Sequence, residues 1–171
     1  MTHDLDESTT AAGLARCAFD YIDAALIVEA EHSRRNPQPH VPSMTAYILL
    51  HRGMELTLKA YLRHKGLTDA DIGKRLDHGL LVLYQNSKDM GLSGFFNEAY
   101  GDFGALKRLV DLNGERHQLH YPEVCTTPAP YWGQIESVAV RLFYAVAPLA
   151  EFTRSPPDFA PPSAFKPKIR D

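Results

Sequence analysis

Cysteine is nearly missing from this chain: Cys17 and Cys125 are the two present in 171 residues. They stand far apart, at no metal-ligand spacing, which excludes a disulfide-stapled scaffold and a zinc knuckle. Long apolar runs are missing as well. The best, Val138 to Ala150, is interrupted by Arg141 and falls short of the roughly 20 residues a bilayer span needs, so no membrane association is expected. The start of the sequence lacks the charged, apolar and small-residue succession of a secretory signal, and we expect a cytoplasmic, reduced protein. An excess of basic charge is absent too. Lys and Arg number 18 against 21 Asp and Glu, for a net charge of −3; lysine and arginine supply most non-specific nucleic-acid affinity, so extended duplex binding is excluded and only a local basic groove is compatible. Gly91, Gly94, Gly101 and Gly104 follow no strand and precede no Lys-Ser or Lys-Thr, which removes a phosphate loop. Neither strand-like alternation nor an internal repeat is seen.

What is present is helical patterning. The length suits one domain, which would bury roughly 70% of its unfolded surface, and 44% hydrophobic with 23% charged residues is ordinary for a globular chain. Thr9 or Thr10 can cap a first helix to about His32, with Leu14, Ala18, Tyr21, Ile22, Ala25 and Val28 at helical spacing. Pro37, Pro39 and Pro42 make the next stretch a crossing loop, after which Ser43 caps a second helix. In it Met54, Leu58, Tyr61 and Leu62 form the core stripe, and Gly66 ends it. Thr68 to Asp71 opens a short helix that fails near Asp77 to Gly79; a further helix runs from about Leu80 to Met90, with Asp77 as a possible cap. Between Gly91 and Gly104 lies an irregular aromatic piece with Phe95, Phe96, Tyr100 and Phe103, and helical spacing resumes over Ala105 to Leu112. The last helix is expected over about Tyr131 to Phe152, with Ile135, Val138, Leu142, Ala145, Val146 and Leu149 inward and Pro148 kinking it or lying near its end. The expected fold is all-α: an antiparallel up-and-down bundle of four to five main helices with irregular loops. It would occupy 1–154, followed by a Pro-rich tail at 155–171.

Polar residues on inward faces are the candidates for chemistry. His51, Glu55 and Lys59 share a face of the second helix; Glu55 and Lys59 are spaced i, i+4, acid first, as a simple helix pair would be. Arg116 and His120 have the same spacing between Gly114 and Pro122, with His117 and Tyr121 beside them. If that turn closes over the second helix, guanidinium and imidazole share a hollow with a carboxylate and could hold a phosphate. An arginine there neutralises phosphate charge and a histidine moves a proton near neutral pH, as metal-free RNA cleavage by a ribose 2′-hydroxyl requires. The plainer alternative pairs Arg116 with Glu115 or Glu123 and leaves both histidines in a wet turn. His78 can bond across a helix end. The eight histidines show no diagnostic ligand spacing; no metal and no cofactor are expected.

Met54 to Gly66 (MELTLKAYLRHKG), Asp77-His78-Gly79-Leu80 and Arg116-His117-Gln118-Leu119-His120 together resemble the HEPN superfamily of small helical domains over about residues 9–152. The last segment is similar to that family's arginine–polar–histidine ribonuclease signature, with a gap of three where four to six is usual, while His120-Tyr121-Pro122 is similar to the Arg-Tyr-Pro of noncatalytic branches. The resemblance implies a homodimer and a prokaryotic stress or defence setting. Within that setting it implies one of two activities. One is a module binding a nucleotide, RNA or a protein partner, with His51, Glu55, Lys59, His78, Arg116 and Tyr121 as its groove. The other is a metal-independent, toxin-like endoribonuclease using Arg116 and His120, with His117 as companion and an antitoxin-like protein as partner.

Overall fold

A computed structural model describes residues 10–36, 42–75, 79–113 and 129–153, without the side chains of Lys74 and Arg75. The expected tail at 155–171, the Glu115–Tyr121 turn, the Asp77 cap and Cys125 lie outside them. Among the described residues the chain is all-helical, with six α-helices, one 3-10 turn at Leu92–Gly94 and no strand: α1 (Ala11–Arg35), α2 (Met44–His64), α3 (Asp69–Arg75), α4 (Leu80–Asp89), α5 (Asp102–Asn113) and α6 (Trp132–Val146). No helix among them is long and apolar enough to cross a membrane.

The centre is α2, which touches each of the other five helices. Its stripe of Met54, Leu58, Tyr61 and Leu62 is fully buried, joined by Tyr47 and Leu50. Ile22 of α1, Leu80 and Leu83 of α4, Leu106 and Leu109 of α5, and Ile135, Val138, Leu142 and Val146 of α6 complete the core. Each such side chain contributes about 1.5–3 kcal/mol by leaving water. Gly53 sets the closest helix approach: a Cβ there would lie 2.5 Å from Ile22 Cγ1 and 3.2 Å from the Ala18 carbonyl oxygen and the Ile22 nitrogen.

The α1 stripe is only partly the expected one: Ala18, Ile22 and Ala25 are buried, but the helix is rotated toward Ala15 and Glu29. Buried on it are Ala15, Ala18, Ile22, Ala25 and Glu29, while Tyr21 is 39% exposed and Leu14 and Val28 are only half-buried. Three alanines of α1 are buried on this face, and Ile22 occupies the space that the missing Gly53 side chain leaves. The cap of α1 is Thr10, whose hydroxyl accepts from Gly13 N at 3.0 Å. Ser43, expected to cap α2 with its side chain, makes no such bond. Instead the buried Glu29 carboxylate accepts from Ser43 N at 2.7 Å and from the Ser33 hydroxyl at 3.2 Å, placing a negative group at the positive end of α2.

The far end of α2 closes through Gly66, at φ +90, with Leu67 N donating to the Leu62 carbonyl at 3.1 Å. Thr68 and Asp71 then bond reciprocally at the start of α3, Thr68 Oγ1 to Asp71 Oδ2 at 2.7 Å and Asp71 N to Thr68 Oγ1 at 3.2 Å. Three boundaries differ from expectation. Helix α1 runs on to Arg35, three residues past His32. The start of α5 is Asp102, three residues early, because the buried Asp102 carboxylate accepts from Ala99 N at 2.7 Å and from Arg141 of α6 at 2.8 Å. The end of α6 is Val146, after which residues 147–151 form turns around Pro148, a residue that brings no N–H to the ladder.

Candidate functional site

Four residues on one side of α2 form the candidate site. Glu55 is 5% exposed and sits between two cations of its own helix: Arg52 Nη1 donates to Oε2 at 2.7 Å and Lys59 Nζ to Oε1 at 2.5 Å. The offsets of three and four residues bring these groups onto one face, and burial turns an ordinary surface pair into a clamp. Burial alone would push the Glu55 carboxyl up; the bonds from Lys59 and Arg52 outweigh it and hold the acid below the usual carboxylate range. One turn earlier, burial lowers the His51 imidazole, with Glu55 opposing and Arg52 assisting that shift. His51 is therefore neutral at neutral pH and offers one ring N–H and one lone pair.

The two cations differ in access. The Lys59 side chain is 12% exposed and that of Arg52 is 47% exposed. A guanidinium has five N–H donors in a planar fork, and Glu55 takes only one of them, at Nη1. Arg52 thus presents an anchored cation to solvent at the rim of a buried acid. Sequence reading had His51, Glu55 and Lys59 on this face, and the structure brings Glu55 and Lys59 into contact. It missed Arg52, although the i, i+3 offset to Glu55 was legible. His78, Arg116, His117, His120 and Tyr121 lie outside the described residues.

Two other polar clusters hold helices together. Glu98 accepts from the Tyr84 hydroxyl at 2.8 Å and from Lys88 at 2.7 Å, while Arg141 reaches Asp102, the Asn97 carbonyl at 3.0 Å and the face of Phe96, 5.4 Å from its centroid. The bond from Lys88, helped by Tyr84 against burial, keeps Glu98 below the usual range. At the N-terminal end of α2, the Tyr47 hydroxyl donates to the Pro130 carbonyl at 2.6 Å beneath Trp132. Burial and the nearby Glu29 push this phenol up to about 12. Burial and Glu29 also raise Glu136, against a hydrogen bond from Trp132. These groups tie α6 and the segment before it to α2.

Asn113, the last residue of α5, and Ser87 on α4 are buried, and neither the Asn113 amide nor the Ser87 hydroxyl is hydrogen-bonded among the described residues. No trio of His, Cys, Asp or Glu among the described residues is placed to hold a metal ion. The exposed Cys17 is free. Compared with protein-family models, with curated proteins and with solved structures, the chain matches none.

Proposed function

We propose that this chain is a HEPN-like module that binds the phosphate of a nucleotide or RNA on the α2 face carrying His51, Arg52, Glu55 and Lys59. The observation that carries the reading is the half-exposed Arg52 guanidinium, held at one nitrogen by a carboxylate that is itself buried. Such an arginine is pre-oriented, and a planar fork with free donors matches two phosphate oxygens. Glu55 is a positioning residue here, and the neutral His51 adds one donor without adding charge. The helices are read as an antiparallel up-and-down bundle, which the close packing of α1 along α2 supports. A homodimer belongs to this reading through the family resemblance alone, a cytoplasmic location through the sequence, and an antitoxin-like partner to the endoribonuclease alternative.

The test is fluorescence anisotropy with labelled RNA and with nucleoside monophosphates, in EDTA, for the wild type and Arg52→Gln. Losing one charge-assisted phosphate contact lowers affinity by about tenfold or more. Equal affinity in the two proteins would sink the α2 site. Cleavage of the RNA to a cyclic phosphate, lost in Arg116→Ala and in His120→Ala, would replace binding with the endoribonuclease alternative.

A further inference from the structure

A second surface, on the solvent side of α5, combines exposed rings with exposed cations. Tyr100 is fully exposed just before the helix, and Phe103 in its first turn is 46% exposed. The Phe103 ring leans on Tyr84, centroids 6.4 Å apart and tilted by 32°, so it is held in place while much of it faces water. Along the same arc follow Gly104, Lys107, Arg108 and Asp111, all exposed, whereas Ala105, Leu106 and Leu109 turn into the core. Nothing lies within 4 Å of where a Gly104 Cβ would be, so the face has a bare step between its aromatic and cationic parts. Neither Lys107 nor Arg108 makes an ion pair among the described residues.

We infer that this face is a stacking platform for single-stranded nucleic acid, with Tyr100 and Phe103 receiving bases and Lys107 and Arg108 the backbone. Exposed aromatic rings cost solvation without packing, and a base offers them a π-face of any sequence; flanking cations match the phosphates running past. A protein partner would need an apolar surface, which this arc lacks beyond its two rings. A duplex hides its base faces, in keeping with the acidic total charge of −3. The platform does not depend on the α2 site: Phe103, Lys107 and Arg108 belong to α5 and Tyr100 precedes it, whereas Arg52 belongs to α2.

The experiment uses the full chain and three short probes: an RNA oligonucleotide, the DNA of the same sequence, and the RNA with its bases replaced by abasic sites. Gly104→Gln fills the bare step without changing charge and, with open space around it, leaves the fold intact; Tyr100→Ala removes a ring that contributes no packing. Each is expected to weaken binding of the intact strands by about tenfold, the scale of one lost stacking contact. The paired Lys107→Gln and Arg108→Gln change should flatten the dependence of log affinity on log salt by about 1.4, from two phosphates at about 0.7 each. The abasic strand should bind weakly. The platform is overturned if the abasic strand binds as tightly as the intact one, or if Gly104→Gln and Tyr100→Ala bind like wild type. It is overturned equally if those variants change the sedimentation coefficient, for the face would then join copies of the chain. Because Arg52→Gln is measured in parallel, failure of the α2 site and failure of the platform read out separately.

Discussion

Replacing Glu55 by Gln keeps the shape of the side chain and removes the charge between Arg52 and Lys59. Two unit charges about 4 Å apart at an effective dielectric of about 20 attract by about 4 kcal/mol, and breaking a buried pair typically costs about 3–5 kcal/mol. The two partners do not contribute equally. Arg52 is half in solvent and recovers hydration, whereas Lys59 is 12% exposed and does not. Gln still accepts one hydrogen bond, so we expect a loss of about 3 kcal/mol, the low end of that range. Urea unfolding of wild type, Glu55→Gln, Lys59→Met and the double variant measures it as a cycle, and the two changes should couple by at least about 1 kcal/mol. The pH dependence carries a definite sign. The folded Glu55 acid lies below its ordinary value, so its contribution is complete above about pH 4.3 and disappears as pH falls through the lower folded value. The gap between wild type and Glu55→Gln should therefore be full at neutral pH and close in acid. Changes that add within about 0.5 kcal/mol, or a gap indifferent to acid, would show that the carboxylate is not clamped between the cations.

Gly53→Ala gains up to about 1 kcal/mol of helix propensity but drives a methyl group into Ile22 and the α1 backbone; overpacking of about 1–3 kcal/mol wins, and thermal denaturation should show a lower Tm. Glu29→Ala leaves Ser43 N without its carboxylate at the start of α2, a loss of about 1–3 kcal/mol to be read from denaturant midpoints, and an unchanged midpoint would remove the interhelical cap. Glu136 has the opposite pH sign to Glu55. Its folded value is raised by burial and by Glu29, so its contribution is full below about pH 4.3 and is lost as pH rises through the folded value. Glu136→Gln should accordingly be more stable than wild type at neutral pH and equal to it in acid, as paired melts at the two conditions would reveal.

Most of the helix order was readable because apolar spacing along α2, α4 and α6 is regular and glycine or proline marks their ends. The errors have physical causes. Half of the α1 stripe, Ala18, Ile22 and Ala25, follows from spacing; Leu14, Tyr21 and Val28 do not, because the close approach at Gly53 rotates the helix toward Ala15 and Glu29. Ser43 looked like a cap by type, but Glu29, 14 residues away, supplies the oxygen; a sequence window that short cannot reveal an acceptor on another helix. Asp102 likewise starts α5 through a long-range bond to Arg141. At the site, the Glu55–Lys59 contact followed from helix geometry alone. The burial that makes it chemically distinctive did not, because that depends on what packs around α2. Arg52 does not stand out in the sequence because its guanidinium is at the rim, 47% exposed, and not on the inward face.

Arginine side-chain NMR can watch Arg52 itself. With the Arg52 Nε–Hε signal assigned through Arg52→Gln, a nucleoside monophosphate and then a short RNA are titrated into the protein. We expect that signal to shift and saturate with the same affinity as the ligand shows by anisotropy. An Arg52 signal that stays still while ligand binds elsewhere, or while none binds at millimolar concentration, would contradict phosphate recognition on α2.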